Sequence, residues 1–432
     1  MSWFSTPAYL RLFGTAAGTD MRAPALNVLG RRGASRRALL IYLPQAFRLP
    51  KEHPDQLWHQ NRRRSWQIVE CLDELGYSVD VVATTEKRFR PPAPYDFVLS
   101  NNTRLKFAVP LRPGARLALL ATTLYPDRHN ANLRGRHDWL ASRRGVRLAP
   151  RRQYSVDAHD LRRFAAILCV GNPTNTESWR PAFGGPIHSF NNFGHSSTEV
   201  PTGKDFEAAR RHFLFFASGS QMQKGLDLLL EAFARNPDCH LHVCSSFADE
   251  PDFCRAFQRE LFETPNIHPV GKILTNGPKF NELLARCGHV ISASCSEGQS
   301  GAVVQTAYAG LVPLVTPEVG LDVAGYGDLL PSDSLEGIAA AIGHRAEQSA
   351  SWLRERSGAA LAIGQRLHGE GAVQDRWREM LGAVLSLQSA AAPLSRAAGI
   401  WQDRADAAGP IPANTATART ICRTSVCPVS GG

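Results

Sequence analysis

The chain alternates between continuous apolar runs and segments in which apolar residues recur at helical spacing. The first apolar run is Ala38–Leu43, the first helical segment is Gln60–Leu75, and the next predicted strand is Tyr77–Ala83. Continuous apolar runs are typical of parallel strands that are buried on both faces. Gly76 separates the helical segment from the strand at Tyr77–Ala83, as glycine often does where a helix ends. This order predicts a strand–helix–strand unit.

The same alternation continues along most of the chain, with one interruption. Further strands of the first series are predicted at Tyr95–Ser100, Arg116–Ala121 and Phe164–Val170. Between Ile187 and Lys204 the pattern lapses into a stretch rich in Asn, Ser and Gly, which indicates a linker. A second series of strands and helices begins at Phe213–Ala217. We therefore predict an α/β protein with two Rossmann-like domains.

The predicted organisation has a tail at each end and a linker between the domains. A length of 432 residues is too great for one compact core and agrees with two domains. The predicted segments are a disordered basic tail at residues 1–37, an N-terminal Rossmann-like domain at 38–195, a linker at 196–210, a C-terminal Rossmann-like domain with its closing helices at 211–388, and a disordered tail at 389–432.

The charge of the chain is strongly positive and comes mostly from arginine. The formal net charge is +10, and many arginines occur in pairs or triplets such as Arg62–Arg64 and Arg151–Arg152. A solvated surface is the plain interpretation, and peripheral contact with an anionic membrane surface is the alternative. No zinc-finger, RNP-like or helix-turn-helix pattern accompanies the charge, so we do not expect a nucleic-acid partner.

The cysteines and the amino-terminal region indicate a cytoplasmic protein. Nine cysteines are spread along the chain without a Cys-x-x-Cys pair, which is typical of a reducing compartment. No apolar run reaches the length of about eighteen residues that indicates a membrane span. The first 37 residues lack the continuous apolar region of a secretory signal. We therefore predict a cytoplasmic location, at the inner face of the membrane if the charge has that role.

A loop at Ser218–Gly225 lies between a predicted strand and a predicted helix. Gly219 and Gly225 permit a tight turn, and Lys224 stands at the entrance of the helix, whose amides can receive an anion. A lysine there could neutralise a diphosphate leaving group. The loop lacks the Gly-Lys-Ser/Thr ending of a Walker A motif. A simple turn with an exposed lysine is the alternative interpretation.

The loop Ser294–Gly301 has the same placement between a strand and a helix. Gly298 and Gly301 allow the backbone to approach a ligand closely, and amides at the start of the following helix would face phosphates. Glu297 lies in the loop, and Gln305 lies eight residues later in the helix. One of these side chains could reach a sugar and the other a ribose. The alternative is a helix that is capped by the Ser300 side chain, with Glu297 exposed.

The order and spacing of these segments resemble the group 1 (family 4) glycosyltransferases of the GT-B fold. The resemblance extends over Phe213–Asp322 and includes Lys224-Gly225 with the Leu-Asp-Leu-Leu-Leu-Glu-Ala-Phe run that follows. It also includes the loop Ser294–Gly301 and ends with Ala307–Thr316. The N-terminal half is similar to the family in its strand–helix–strand layout and in Leu72–Val82. The resemblance implies two Rossmann-like domains that face each other across a cleft.

The resemblance also implies roles for residues of both loops. The family signature is Glu-x7-Glu, in which the first glutamate lies beside the donor sugar near the reacting centre, here Glu297. The second glutamate normally holds the ribose, and this chain has Gln305 there, which can hydrogen-bond hydroxyls without charge. An arginine usually precedes the family's lysine, whereas this chain has Ser220–Gln223 in that turn. The implied donor-binding residues are Gly219, Lys224, Gly298, Gln299, Ser300, Gly301 and Gln305.

A retaining, metal-independent sugar transfer from a nucleotide sugar is the activity that the resemblance implies. The sequence contains no Asp-x-Asp, the metal-binding pattern of the other major glycosyltransferase fold. No cofactor is expected beyond the nucleotide-sugar co-substrate. The acceptor would be a glycan or a lipid-linked molecule in the synthesis of a surface polysaccharide or lipopolysaccharide. A catalytically impaired binding protein and an epimerase, both with the GT-B fold, are the alternatives.

The acceptor is expected to bind mainly to the N-terminal domain. Ligands of open α/β sheets bind beyond the carboxyl ends of the strands. Polar residues at those ends are therefore acceptor-side candidates, namely Gln45, Asn101 and Asn172. His129 and His195 are further candidate histidines of the site.

Overall fold

Two parallel six-stranded sheets form the framework of the protein in a computed structural model, which describes residues 23–53, 55–56 and 59–387. The strands of the first sheet are β1 (Arg36–Tyr42), β2 (Tyr77–Ala83), β3 (Tyr95–Ser100), β4 (Leu111–Ala121), β5 (Ala166–Val170) and β6 (Ile187–Phe190). The strands of the second sheet are β7 (His212–Phe216), β8 (His240–Cys244), β9 (Ile267–Pro269), β10 (His289–Ser292), β11 (Val312–Val315) and β12 (Asp328–Leu329). The strand orders are β2-β1-β3-β4-β5-β6 and β12-β11-β10-β7-β8-β9.

Helices connect many of the consecutive strands, because parallel pairing needs long crossover connections. The longer helices are α1 (Gln60–Glu74), α2 (Pro126–Arg144), α7 (Leu226–Ala234), α10 (Pro278–Arg286), α12 (Leu335–Glu347), α13 (Ala350–His368) and α14 (Glu370–Ser386). The shorter helices are α3 (Ala158–Leu161), α4 (Pro173–Trp179), α5 (Phe206–Ala209), α6 (Gln221–Lys224), α8 (Pro251–Ala256), α9 (Gln258–Phe262) and α11 (Gly301–Ala307). In the part of the chain that the structure describes, no helix is long and apolar enough to cross a bilayer.

The sequence pattern predicted most strands of the first sheet well and the edge strand β6 poorly. Strands β2 and β3 have the predicted bounds, and the predicted helix after residue 60 is α1. The structure differs at β6, which falls where the pattern indicated a linker. Strand β6 is an edge strand, and of its residues only Phe190 is buried, so it carries no continuous apolar run. The predicted linker at 196–210 also contains a helical turn, α5.

Part of the predicted amino-terminal tail is ordered on the first sheet. Residues 1–22 lie outside the described residues, but Ala25 forms an antiparallel bridge with Val81. The Asn27 amide donates to Asp80 Oδ1 at 2.8 Å. The bridge uses backbone groups of β2, which are available for pairing because β2 is an edge strand. The prediction of disorder is therefore wrong for residues 23–37, and the predicted tail at 389–432 lies outside the described residues.

The last helix, α14, packs on the first sheet although it follows the second sheet in the chain. Its apolar face includes Trp377 and Met380, which are fully buried in the same cluster as Leu40 of β1 and Leu72 of α1. Burial of one such large side chain contributes about 1.5–3 kcal/mol. The closing helices that the sequence assigned to the second half therefore complete the core of the first.

Helix α2 belongs to the first half of the chain and is anchored on the second. Leu140 of α2 is buried in the core of the second sheet. Asp227 of α7 is fully buried and accepts from Arg136 at 3.4 Å and from Arg143 at 3.0 Å. Arg136 also donates to the Ala293 carbonyl at 2.9 Å. Because a buried charge without its partner is very costly, these bonds hold α2 firmly in place.

Four histidines form a stack on strands β7, β8 and β9 of the second sheet. His212 Nδ1 lies 3.0 Å from His242 Nε2, and His240 Nδ1 lies 3.1 Å from His268 Nε2. Each such hydrogen bond needs one neutral nitrogen that accepts. Burial lowers the pKa of His212 to about 4 and that of His242 to about 3. The stack is therefore neutral at pH 7.

We expect the stack to make stability depend on pH. The unfolded chain, in which histidine has its ordinary pKa of 6.5, binds more protons than the folded protein between that pH and the lowered values. Stability should therefore fall as the pH is lowered from 6.5 to about 4. His242→Phe keeps an aromatic ring but removes one proton site, so the slope should decrease by up to about 1.4 kcal/mol per pH unit.

Urea unfolding at several pH values measures this slope. His159→Phe is the control, because His159 is exposed and lies outside the stack, and its slope should equal that of the unmodified protein. A His242→Phe slope equal to that of the unmodified protein would contradict the neutral stack.

Candidate functional site

The two glycine-containing loops lie side by side at the carboxyl ends of neighbouring strands. Ser218–Gly225 follows β7 and Ser294–Gly301 follows β10, and these strands pair in parallel. The Cys295 amide donates to the Gln223 carbonyl at 2.9 Å, and Gln223 Nε2 donates to the Ser296 carbonyl at 2.6 Å. The loops therefore form one surface at the edge of the sheet where ligands of α/β proteins bind.

Gly225 is required where the first loop enters its helix. Its φ is +77°, in the left-handed region, and a Cβ at this position would clash with the backbone of Ala293. The loop Ser218–Gly225, which we call the lysine loop, therefore packs directly on Ala293, the residue that follows β10. This close approach brings Lys224 to the second loop.

Lys224 and Glu297 form a largely buried ion pair. Nζ of the lysine bonds Oε1 of the glutamate, and the two side chains are 11% and 12% exposed. Ser294 Oγ also lies 3.4 Å from the same Oε1 atom. Burial lowers the pKa of Lys224, and the nearby Glu297 carboxylate opposes that shift. The alternative predictions of an exposed lysine and an exposed Glu297 are therefore wrong.

Side chains from the first half hold the second loop at three consecutive residues. Asn132 Nδ2 donates to the Cys295 carbonyl at 2.9 Å, and Asn175 Nδ2 donates to the Glu297 carbonyl at 2.9 Å. His129 Nδ1 is hydrogen-bonded to Ser296 Oγ at 2.8 Å. The carboxyl ends of the two sheets therefore meet directly at the ion pair.

The glycines of the second loop allow this meeting of the two halves. A Cβ at Gly298 would clash with the Thr122 carbonyl, and a Cβ at Gly301 would clash with the Gln60 side chain. Gln60 Nε2 donates to the Gly301 carbonyl at 3.1 Å. The glycines were predicted to admit a ligand, and in this structure the close approach is that of the first half of the chain. Their contact with a donor stays a prediction.

Gln299 and the residue after it are bonded within the protein. Gln299 accepts from the Asn192 amide at 2.7 Å and donates to Asn191 Oδ1 at 2.9 Å. The Ser300 amide donates to the Val319 carbonyl at 3.1 Å. Ser300 is the residue before α11, but its side chain makes no capping hydrogen bond, so the alternative of a Ser300 cap is wrong.

Gln305 holds the segment that joins the two halves. Its Oε1 accepts from the His195 amide at 3.0 Å, and its Nε2 donates to Thr198 Oγ1. The Thr198 hydroxyl donates its own proton to Asn276 Oδ1 at 3.0 Å, so it needs a donor as its other partner. An amide provides that donor and an ionised carboxylate does not. The network therefore explains glutamine at this position, and the predicted contact with a ribose stays a prediction.

A buried carboxylate that the sequence did not predict, that of Glu250, packs against the first loop. Glu250 accepts from the Ser220 amide and from the Gln221 amide, the latter at 3.2 Å. Burial raises the pKa of Glu250, and Arg151, which lies 3.1 Å away, opposes the shift. Ser220 has a φ of +69°, which turns these amides to the same side. A carboxylate of the protein therefore occupies the anion-binding turn beside Gly219.

His129 connects the second loop to a loop of the first half. Its Nε2 donates to the Arg152 carbonyl at 2.6 Å, because a carbonyl can only accept. Burial lowers the pKa of His129, so the ring is neutral and its Nδ1 accepts from the Ser296 hydroxyl. His129 was a predicted candidate, whereas the Arg151–Arg152 pair was predicted only as surface charge, either solvated or in contact with an anionic membrane. The pair lies in the segment between α2 and α3, and this position outside a helix was the only sequence feature that could have indicated a role at a site.

The acceptor-side candidates lie at different places along the first sheet. The backbone amide of Asn172 donates to the Gly320 carbonyl at 3.2 Å, so this residue contacts the second half. Asn101 accepts from Thr84 Oγ1 at 2.7 Å, and Gln45 is buried in the turn Pro44–Arg48. Within residues 23–53, 55–56 and 59–387, no three His, Cys, Asp or Glu side chains form a group that could hold a metal ion.

Known proteins match this chain in fold and not in sequence family. No protein-family model and no curated protein matches it. Sucrose-phosphate synthase from Thermosynechococcus elongatus has a TM-score of 0.56 and 13% identity, over 81% of this chain and 100% of its own. Anabaena HepE, in complex with UDP and glucose, has a TM-score of 0.52 and 12% identity, over 81% and 99%. TarM has a TM-score of 0.47 and 11% identity over 67% of this chain, which spans 54% of TarM. The chain has the GT-B fold.

We expect Gly298→Ala to weaken the contact between the two halves. Its methyl group would press on the Thr122 carbonyl, and overpacking of this kind costs about 1–3 kcal/mol. The measurement is the free energy of unfolding in urea. Gly358→Ala is the control, because a Cβ there meets nothing within 4 Å and the residue lies inside α13. The control should gain about 0.5–1 kcal/mol. Equal stability of Gly298→Ala and the unmodified protein would show that the loop does not pack on Thr122.

Proposed function

We propose that this protein is a retaining, metal-independent glycosyltransferase of the group 1 (family 4) type. It moves a sugar from a nucleotide sugar to a hydroxyl of an acceptor. The observation that carries the proposal is the buried Lys224–Glu297 pair, which lies at the carboxyl ends of neighbouring strands and faces the first sheet. The GT-B fold supports it, as does the UDP and glucose complex of the similarly folded HepE.

Lys224 stabilises the nucleoside diphosphate that leaves. Its charge is held where little water reaches it, so it attracts a phosphate more strongly than a surface lysine does. Lysine is suited to this task because its ammonium group binds phosphate oxygens as a compact charge. The pair with Glu297 keeps Lys224 charged before the donor arrives, since the carboxylate opposes the effect of burial on the lysine pKa.

Glu297 orients the donor sugar and stabilises the positive charge that develops at its anomeric carbon. The acceptor oxygen bonds to this carbon on the face from which the diphosphate leaves, and the bond from the carbon to the phosphate oxygen breaks. The acceptor proton passes to the departing phosphate oxygen. The products are a glycoside of retained configuration and a nucleoside diphosphate, and no metal takes part.

The acceptor is a glycan or a lipid-linked molecule that binds along the carboxyl edge of the first sheet. Asn172 is the best placed of the three candidates. Its backbone amide donates to the Gly320 carbonyl, which also accepts from Gln299 of the loop Ser294–Gly301. Asn101 and Gln45 would contact more distant parts of the acceptor. The basic surface attracts an anionic membrane, which agrees with a lipid-linked acceptor in the synthesis of a surface polysaccharide or lipopolysaccharide at the inner face of the membrane.

Donor binding requires the two halves to separate and close again. The bonds from Asn175 to the Glu297 carbonyl and from Gln60 to the Gly301 carbonyl join the two halves at the loop to which we assign the donor. Movements of this kind admit a substrate and then exclude water from the reaction. The segment held by Gln305 is the natural pivot, because it joins the two sheets.

A binding protein without turnover is the second candidate, and one observation favours it. Oε1 and Nε2 of Gln305 are both hydrogen-bonded within the protein. In the family that the sequence resembles, a glutamate at this position holds the ribose. Such a protein would bind a nucleotide sugar and release no nucleotide. The following experiment separates the two functions.

A donor screen measures the release of free nucleotide from UDP-, GDP- and ADP-sugars, together with thermal stabilisation by UDP, GDP and ADP. We expect one nucleotide to stabilise the protein and its sugar to be turned over. Glu297→Gln should lower kcat by about 10²-fold or more, the usual loss when a group that stabilises transition-state charge is removed.

Glu263→Gln is the matched control, because Glu263 is exposed and precedes β9, whereas the two loops follow the carboxyl ends of their strands, and it should leave turnover unchanged. Melting temperatures verify that each variant is folded. Stabilisation without turnover favours the binding protein, and the absence of any nucleotide effect contradicts both functions. Full activity of Glu297→Gln would contradict the proposed role of the Glu297 carboxylate in the reaction.

A further inference from the structure

The loop at residues 151–154 is clamped beside the ion pair by one helix. Asn130 Nδ2 donates to the Tyr154 carbonyl at 2.6 Å, and the Tyr154 amide donates back to Asn130 Oδ1 at 3.1 Å. His129 donates to the Arg152 carbonyl at 2.6 Å. Both clamping residues belong to α2, which is itself anchored on the second half through Asp227. The loop is therefore carried by the first half but positioned against the second.

Arg152 has a backbone conformation that is unfavourable for any residue except glycine. Its φ is +58°, and a side chain in this region costs about 1–3 kcal/mol. The surrounding hydrogen bonds maintain that conformation, and it directs the guanidinium to the lysine loop. Arg152 Nη2 donates to Ser218 Oγ, the first residue of that loop, at 3.4 Å. Strained residues of this kind are concentrated at ligand sites.

Arg152 lies within electrostatic reach of the Lys224–Glu297 pair. Burial is the main cause of the lowered pKa of Lys224, and the positive charge of Arg152 adds to it. The Glu297 carboxylate in turn acts on Arg152. Two cations, one from each half of the chain, therefore act on the same carboxylate, that of Glu297.

The neighbouring Arg151 has a different role. It donates to Glu250 at 3.1 Å and to Asp252 at 2.7 Å, and Glu250 in turn occupies the amides of Ser220 and Gln221. The backbone turn that would otherwise receive a phosphate is thus already neutralised by the protein. A phosphate at this site must be held by cationic side chains instead.

We propose that Arg152 is a second cationic ligand of the donor's diphosphate, supplied by the first half of the chain and acting together with Lys224. The inference rests on the proposed function and adds a residue to it. The turn before Lys224 is Ser-Gln-Met-Gln and contains no basic residue, so Arg152 provides the second charge from another part of the chain. A guanidinium can bind two phosphate oxygens at once, which suits a diphosphate.

This arrangement couples donor binding to closure of the two halves of the protein. The diphosphate is bound fully only when Arg152 of the first half and Lys224 of the second half are both in contact with it. Binding energy from the phosphates then favours the closed arrangement, in which the reacting sugar is shielded from water.

The test compares the affinities of nucleoside diphosphates and nucleosides for Arg152 variants. UDP, GDP and ADP are titrated by calorimetry, and uridine, guanosine and adenosine by ligand-observed NMR. Arg152→Gln should raise the Kd of the preferred diphosphate about 10–100-fold, the loss expected for a hydrogen bond between charged groups. The Kd of the matching nucleoside should not change. Arg152→Lys should recover part of the diphosphate affinity.

Arg147→Gln is the matched control, because it removes the same charge from an 82% exposed side chain in the same connection. It should leave both affinities unchanged. If Arg152→Gln does not fold, Arg152→Met, which keeps most of the apolar stem, replaces it. The Arg152→Lys measurement stands in either case.

The outcomes separate this inference from the proposed function. Unchanged diphosphate affinity in the neutral variants overturns the inference and leaves the proposed function intact. An equal loss for diphosphate and nucleoside shows a structural role and also overturns it. If the unmodified protein binds none of the three diphosphates, the proposed function fails and the inference fails with it.

Discussion

The ion pair between Lys224 and Glu297 is the interaction around which the facing ends of the two sheets are arranged. Both charges are largely buried, so neither can lose its partner without a large cost in free energy. The loops that carry them must therefore stay in register, and Gly225 permits the close packing that this needs. A ligand that draws Lys224 away from Glu297 has to bring negative charge of its own. The same constraint that stabilises the site therefore selects for an anion.

Helix α2 both anchors the first half on the second and positions the loop that contains Arg152. Its Arg136 and Arg143 hold the buried Asp227 of the second half, while its His129 and Asn130 hold the loop that contains Arg152. The position of the two halves and the positive charge at the site thus depend on one rigid element. Such an element is a better support for a binding residue than a free loop, because its own side chains are fixed by packing.

Several polar groups of the site are already satisfied within the protein. Glu250 occupies the amide turn of the lysine loop, and Gln305 joins His195 to Thr198. In each case the hydrogen-bonding chemistry explains the residue type, since the turn offers two donors and Thr198 requires one. A buried polar group without a partner costs more than a hydrogen bond gains, so these internal bonds stabilise the form without a ligand. A ligand must therefore replace them or bind beside them.

The sequence by itself determined the fold class, the central strands and the two residues of the ion pair. Buried parallel strands such as β5 are continuous apolar runs, and glycine, lysine and glutamate in strand–helix loops are local patterns. The edge strand β6 escaped notice because most of its residues are only partly buried. Only the tertiary structure decided that α14 completes the first core and that Glu250, His129 and Arg152 contact the two loops that carry the ion pair. Contacts such as the one between His129 and Ser296, 167 residues apart, depend on which surfaces pack together, and no local pattern records that.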